Sequence, residues 1–124
     1  MALKFRIPDS IKIGGVEYSV IHTQTVRIGN ELCYGKIDFT NCTIELSDYD
    51  CVDPQKQKLT FLHEIVHGIH ESMFAHPDDP SDEEHVCDIL SRGIYQVISD
   101  NIDRLFVMEP DGGEANAEIC EANC

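Results

Sequence analysis

Short runs of Ile, Val, Tyr and Thr, each broken by glycine or asparagine, fill residues 3–46. This is the rhythm of strands joined by tight turns. Ile11-Lys12-Ile13 and Val16-Glu17-Tyr18-Ser19-Val20 flank Gly14-Gly15, a pair that readily takes the positive φ angles of a two-residue hairpin turn. Residues 32–39 and 43–46 flank Thr40-Asn41-Cys42 and predict a second hairpin. The period changes at Asp53-Pro54, an N-cap aspartate followed by proline at the first helical position. A helix over residues 54–74 follows, with Leu59, Leu62, Val66, Ile69 and Met73 as its expected buried stripe, and His76-Pro77 ends it. Ser81-Asp82-Glu83-Glu84 reads as a capping box. Val86, Leu90, Ile94, Val97 and Ile98 then predict a second amphipathic helix over residues 82–101. The pattern is that of an α+β domain over residues 1–108, a sheet of about four strands followed by two helices. Gly112-Gly113 and the Ala/Glu/Asn-rich end predict a mobile acidic tail over residues 109–124.

Composition narrows the classes of function. A chain of 124 residues, 42% of them hydrophobic, builds one core without disulfides. Twenty-three acidic against nine basic residues leave a formal charge of −14, which repels phosphate backbones and anionic lipid. Neither nucleic acid nor a membrane is an expected partner. The start, Met1-Ala2-Leu3-Lys4-Phe5-Arg6-Ile7-Pro8, is unlike a signal peptide, and a cytoplasmic protein is expected. The six cysteines (Cys33, Cys42, Cys51, Cys87, Cys120, Cys124) form no Cys-x-x-Cys pair and read as reduced thiols.

The chemistry lies inside the first helix. His63-Glu64-Ile65-Val66-His67 fits His-Glu-x-x-His. Residues four apart stand one turn above each other, so both imidazoles can reach one tetrahedral Zn²⁺. Glu64, about 100° further round the helix than His63, is placed to hydrogen-bond a water on the metal and to take its proton.

A catalytic zinc needs a third protein ligand. The metzincin spacing puts glycine three residues past the second histidine and a third histidine three later. Those positions hold His70 and Met73, which excludes that class. His70 shares the face of His63 and His67 but lies about 4.5 Å beyond His67 along the axis, so it is expected to line the cleft. Glu84 with Asp88 one turn later resembles the gluzincin Glu-x-x-x-Asp arrangement. That resemblance implies Glu84 as the zinc ligand and Asp88 as acceptor of an N–H from a ligand histidine. The capping box alone would also explain Glu84, and Glu83, His85, Asp88 and His70 stay open as ligands. Tyr95 continues the Glu84–Asp88 stripe and is a candidate for hydrogen-bonding an oxyanion. Tyr34-Gly35-Lys36-Ile37-Asp38 lies on a strand whose exposed edge can hold an extended peptide.

Four features together, Tyr34-Gly35-Lys36-Ile37-Asp38, Ile44-Glu45-Leu46, residues 59–67 and residues 90–101, resemble the small zincin-like proteins of bacteriophages and mobile elements, distant relatives of the ImmA/IrrE-type metallopeptidases. The resemblance implies a minimal zincin-like fold: a small antiparallel sheet, an active-site helix and a second, ligand-bearing helix. It implies a cytoplasmic zinc peptidase acting on a protein or peptide, in the bacterial host's cytoplasm if the gene is a phage's. The expected function is therefore zinc-dependent peptide hydrolysis with Glu64 as general base. The rival is a catalytically silent, metal-stabilised binding or regulatory module.

Overall fold

The computed structural model describes residues 1–48, 52–73 and 83–110. In chain order the elements are β1 (Ala2–Phe5), β2 (Ser10–Ile13), β3 (Val16–Thr23), β4 (Val26–Ile28), β5 (Glu31–Cys33), β6 (Gly35–Asp38), β7 (Thr43–Ser47), α1 (Pro54–Met73), α2 (Glu83–Asp100), the single turn α3 (Ile102–Leu105) and β8 (Phe106–Glu109). The α+β class is as the sequence predicts. Ser81, Asp82 and residues 111–124, and with them the capping box and nearly all of the expected tail, lie outside the described residues.

The Gly14-Gly15 hairpin forms as expected. Ile13 pairs with Val16, and the two glycines take φ of 59° and 88°. The second hairpin also forms, with Asp38 opposite Thr43. The Asp38 carboxylate accepts the Thr40 and Asn41 backbone N–H groups at 2.9 and 3.0 Å, and the Asn41 side chain at 2.9 Å. These bonds hold the Asp38 carboxyl below the usual carboxylate range.

The main sheet is not wholly antiparallel. Its order is β2-β3-β7-β6, and β3 pairs with β7 in parallel, Ser19 opposite Thr43 through Thr23 opposite Ser47. The chain leaving β3 passes through the β4–β5 ribbon and β6 before β7 returns between β3 and β6, a connection long enough for a parallel crossover. The expected run over residues 32–39 divides into β5 and β6. A third pairing, β1 with β8, joins segments some hundred residues apart.

Ile11, Ile13, Tyr18, Val20, Ile44 and Leu46 cover one face of the sheet with apolar side chains. Phe61, Ile65 and Ile69 of α1, Val97 of α2 and Leu105 pack on it. α1 lies along β6 and β7, and α2 packs against β2 and α1.

The rotation of α1 differs from the expected stripe. Of the expected stripe, Ile69 is buried and Met73 half-buried, but Leu59, Leu62 and Val66 are 64%, 43% and 44% exposed, and Phe61, Glu64, Ile65 and Gly68 face inward with Ile69 instead. Small residues cause this. A Cβ at Gly68 would stand 2.9 Å from Ile13 Cδ1, and one at Gly35 would stand 2.7 Å from Thr60 Cγ2. The helix approaches the sheet most closely on its Thr60–Gly68 side, where Phe61 and Ile65 fill the space between. In α2, Val97 is buried and Val86 and Leu90 are half-buried, but Ile94 and Ile98 face solvent.

Asn101 ties α2 to the sheet. It is fully buried, its Oδ1 accepts the Lys12 N–H at 2.9 Å, and its Nδ2 donates to the carbonyls of Lys12 at 2.9 Å and Val97 at 2.8 Å. Asn101→Ala leaves both backbone groups of Lys12 without this partner and opens a cavity. We expect a loss of about 2–3 kcal/mol in urea unfolding, with little change in the m-value.

Candidate metal centre

Rotating α1 inward at Phe61 and Ile65 turns His63 and His67 towards a cleft of about 760 Å³. The cleft runs between α1 on one side and β6 with residues of the β4–β5 ribbon on the other. Both histidines are exposed to it. Their Nε2 atoms stand 3.1 Å apart, with ring centroids at 4.8 Å and planes 74° apart. In the metal-free protein one ring can donate an Nε2–H to the other. The same separation suits zinc: two nitrogens at 2.0–2.1 Å from a tetrahedral ion stand about 3.3 Å apart. Closing that difference takes only a small χ rotation.

Glu64 lines the same cleft yet is only 6% exposed, because its position on the helix points it back towards the sheet. Burial pushes its carboxyl above the usual glutamate range, and the neighbouring His67 and His63 pull it partly back down. The result is a carboxylate with enhanced affinity for a proton, next to two imidazoles.

The opposite wall carries backbone groups. β6 is the terminal strand of the sheet. The Ser47 N–H donates to the Tyr34 carbonyl at 2.8 Å, so by antiparallel alternation Lys36 and Asp38 also bond inward to β7. The N–H and C=O groups of Gly35 and Ile37 therefore point away from β7, along the edge beside the cleft. The expectation that Tyr34-Gly35-Lys36-Ile37-Asp38 forms a strand next to the site agrees with this placement.

The second helix does not deliver the expected ligand. Ile69, which meets Gly93 of α2, is 160° round α1 from His67 and 120° from His63. α2 thus packs on the flank of α1 away from the histidines. Within α2, Glu84 is nine residues before Gly93, half a turn out of phase, so it is exposed on the far side of α2. Asp88 is likewise exposed and pairs with Arg92 at 3.2 Å. Tyr95 is 74% exposed on that same outer face and is not in the cleft. His70 follows the histidine pair along α1 but is not part of the cleft lining. Among the described residues, no third His, Cys, Asp or Glu side chain joins His63 and His67.

Two residues at the cleft had not been singled out from the pattern. Lys56 and Thr60 precede His63 by seven and three positions and line the cleft with it. Lys56 Nζ lies 4.7 Å from the centroid of the Tyr34 ring. The steps 56, 60, 63, 67 mark one helix face, so the signal was present in the spacing. Cys33, at the cleft, and Cys42 and Cys87 are free thiols. Among the described residues, no helix is long and apolar enough to cross a membrane. Comparison with known proteins returns no match: no protein-family model, curated protein or solved structure aligns with the chain.

Proposed function

We propose that this protein is a zinc-dependent hydrolase of peptide bonds, built as a minimal zincin-like domain. The observation that carries this reading is a buried carboxylate, Glu64, on the same helical turn as a pair of imidazoles already near zinc-binding separation. A purely structural metal site gains nothing from burying such a carboxylate, which costs free energy wherever it is ionised.

His63 and His67 would hold the ion through Nε2. When bound, zinc supplies a Lewis acid that polarises a carbonyl and acidifies water. The chain's own residues do the remaining work. Gly35 and Ile37 offer backbone donors and acceptors that align an extended peptide along β6. Glu64, with its raised proton affinity, accepts a proton from water at a carboxylate oxygen and passes it to the departing amine nitrogen. The buried position of that carboxylate limits competing solvent.

The rival, a metal-stabilised binding module without turnover, would draw on the same His63 and His67 pair. Metal content and hydrolysis separate the two. Tag-free protein reconstituted with zinc is expected to carry about one ion per chain by mass spectrometry. Loss in His63→Ala and His67→Ala, and retention in Glu84→Ala, is the result the geometry predicts. The zinc-loaded protein should then cut a mixed peptide library, lose the activity to a chelator and regain it with zinc. Zinc bound without cleavage would leave the binding module, and no zinc in the wild type would overturn both.

A further inference from the structure

Lys56 stands out in the charge pattern of the cleft. In a chain of net charge −14, the lining carries two lysines against one glutamate, Glu64. Lys36 is already engaged, with Glu45 Oε2 at 3.3 Å and the Arg27 carbonyl at 3.1 Å. Lys56 has no carboxylate partner among the described residues, and its ammonium rests over the exposed Tyr34 ring. A cation over an aromatic face is held in place without being neutralised, so it keeps its full charge for an incoming anion.

We propose that Lys56, positioned by Tyr34, is a subsite for a carboxylate on the peptide that occupies the cleft. The inference rests on the reading of the cleft as a peptide site. Lys56 is seven residues before His63, about 10.5 Å along the helix at 1.5 Å per residue. An extended peptide covers that distance in about three residues. β6 and α1 run the same way along the cleft, since Gly35 abuts Thr60 and Ile37 abuts Gly68. A peptide pairing antiparallel to β6 therefore runs from the His67 end to the Lys56 end, which puts the carboxylate about three residues C-terminal to the bond at the histidines. That carboxylate is either an acidic side chain or the free end of the peptide.

Binding tests this without requiring turnover. The probes are fluorescent nonapeptides with Glu or Gln scanned through each position and an amidated end, and a matched series with a free C-terminal carboxylate. Each is titrated by anisotropy into zinc-loaded Glu64→Gln protein. The expected result is a preference of about fivefold for Glu over Gln at one position, or for the free acid over the amide at one length. The preference should weaken with salt, vanish in a Lys56→Gln background and persist with Lys56→Arg. Preference at a side-chain position identifies an acidic residue, and preference by length identifies a chain terminus. Equal affinities, a preference that survives Lys56→Gln, or no binding of any probe overturns the subsite. The same peptides offered to the protein with Glu64 intact keep the two ideas apart. Cleavage without charge preference sinks the subsite alone, and charge preference without cleavage sinks the peptidase alone.

Discussion

Glu64→Gln is expected to lower peptide hydrolysis by about a thousandfold while leaving zinc content near that of the wild type. The amide keeps the size of the side chain but cannot accept the proton that the proposed mechanism assigns to the Glu64 carboxylate. In the proposed site His63 and His67 would hold the ion through ring nitrogens that stand 3.1 Å apart, without help from Glu64. A second consequence follows from burial. The folded protein holds the Glu64 proton more tightly than the unfolded chain, because burial raises the carboxyl above its ordinary range. Between the ordinary glutamate range and that raised value the folded state binds more protons, so stability of the metal-free protein falls as pH rises through this window. Glutamine does not titrate. The metal-free variant should therefore melt a few degrees above the wild type at neutral pH, with the gain disappearing once the pH drops below the ordinary glutamate range. Melting curves of both proteins across that span test the sign. Unchanged turnover would remove Glu64 from the mechanism, and joint loss of zinc and activity would make it a ligand instead of a base.

The sequence carried the local signals well and the long-range ones poorly. Asp53-Pro54 marked the start of α1, and the expected span of residues 82–101 differs from Glu83–Asp100 by one residue at each end. Gly14-Gly15 defined its hairpin because a two-residue turn is decided by the φ preference of those two residues. The His63–His67 spacing needed only the helical repeat. Orientation was another matter. The expected stripe of α1 is only partly the one used: Ile69 is buried and Met73 half-buried, but Leu59, Leu62 and Val66 face solvent while Phe61 and Ile65 face the sheet. The choice was made by Gly68 and Gly35, whose missing side chains allow the close approach. A hydrophobicity pattern scores glycine as nothing and cannot register that. The parallel pairing of β3 with β7 and the β1–β8 ribbon depend on which strands meet across long stretches of chain, which no local period encodes. The third-ligand expectation failed to match the described arrangement for the same reason: the spacing from His67 to Glu84 says nothing about the flank on which α2 docks.

That docking can be tested directly at Gly93. In an exposed helix, glycine to alanine gains about 1 kcal/mol of helix propensity. At Gly93 the opposite is expected, because a Cβ there would overlap Ile69 Cγ2 and crowd Ile69 Cγ1 and Cβ at 3.1 and 3.2 Å. Ile69 is fully buried and β-branched, so it has no alternative rotamer to retreat into and the helices must separate. Gly93→Ala should cost about 2–3 kcal/mol in denaturant unfolding, and Ile69→Ala about as much through its cavity. Combining them should cost less than the sum by at least about 1 kcal/mol, since the methyl group added at Gly93 then occupies space vacated at Ile69. Simple additivity would mean that the two residues do not meet and that α2 lies elsewhere. Zinc affinity gives a separate readout. Because His63 and His67 face the flank of α1 away from Gly93, a folded Gly93→Ala protein should bind zinc as the wild type does. If the folded variant instead loses the metal, α2 takes part in holding it, and Glu84 returns as the ligand that the spacing first suggested.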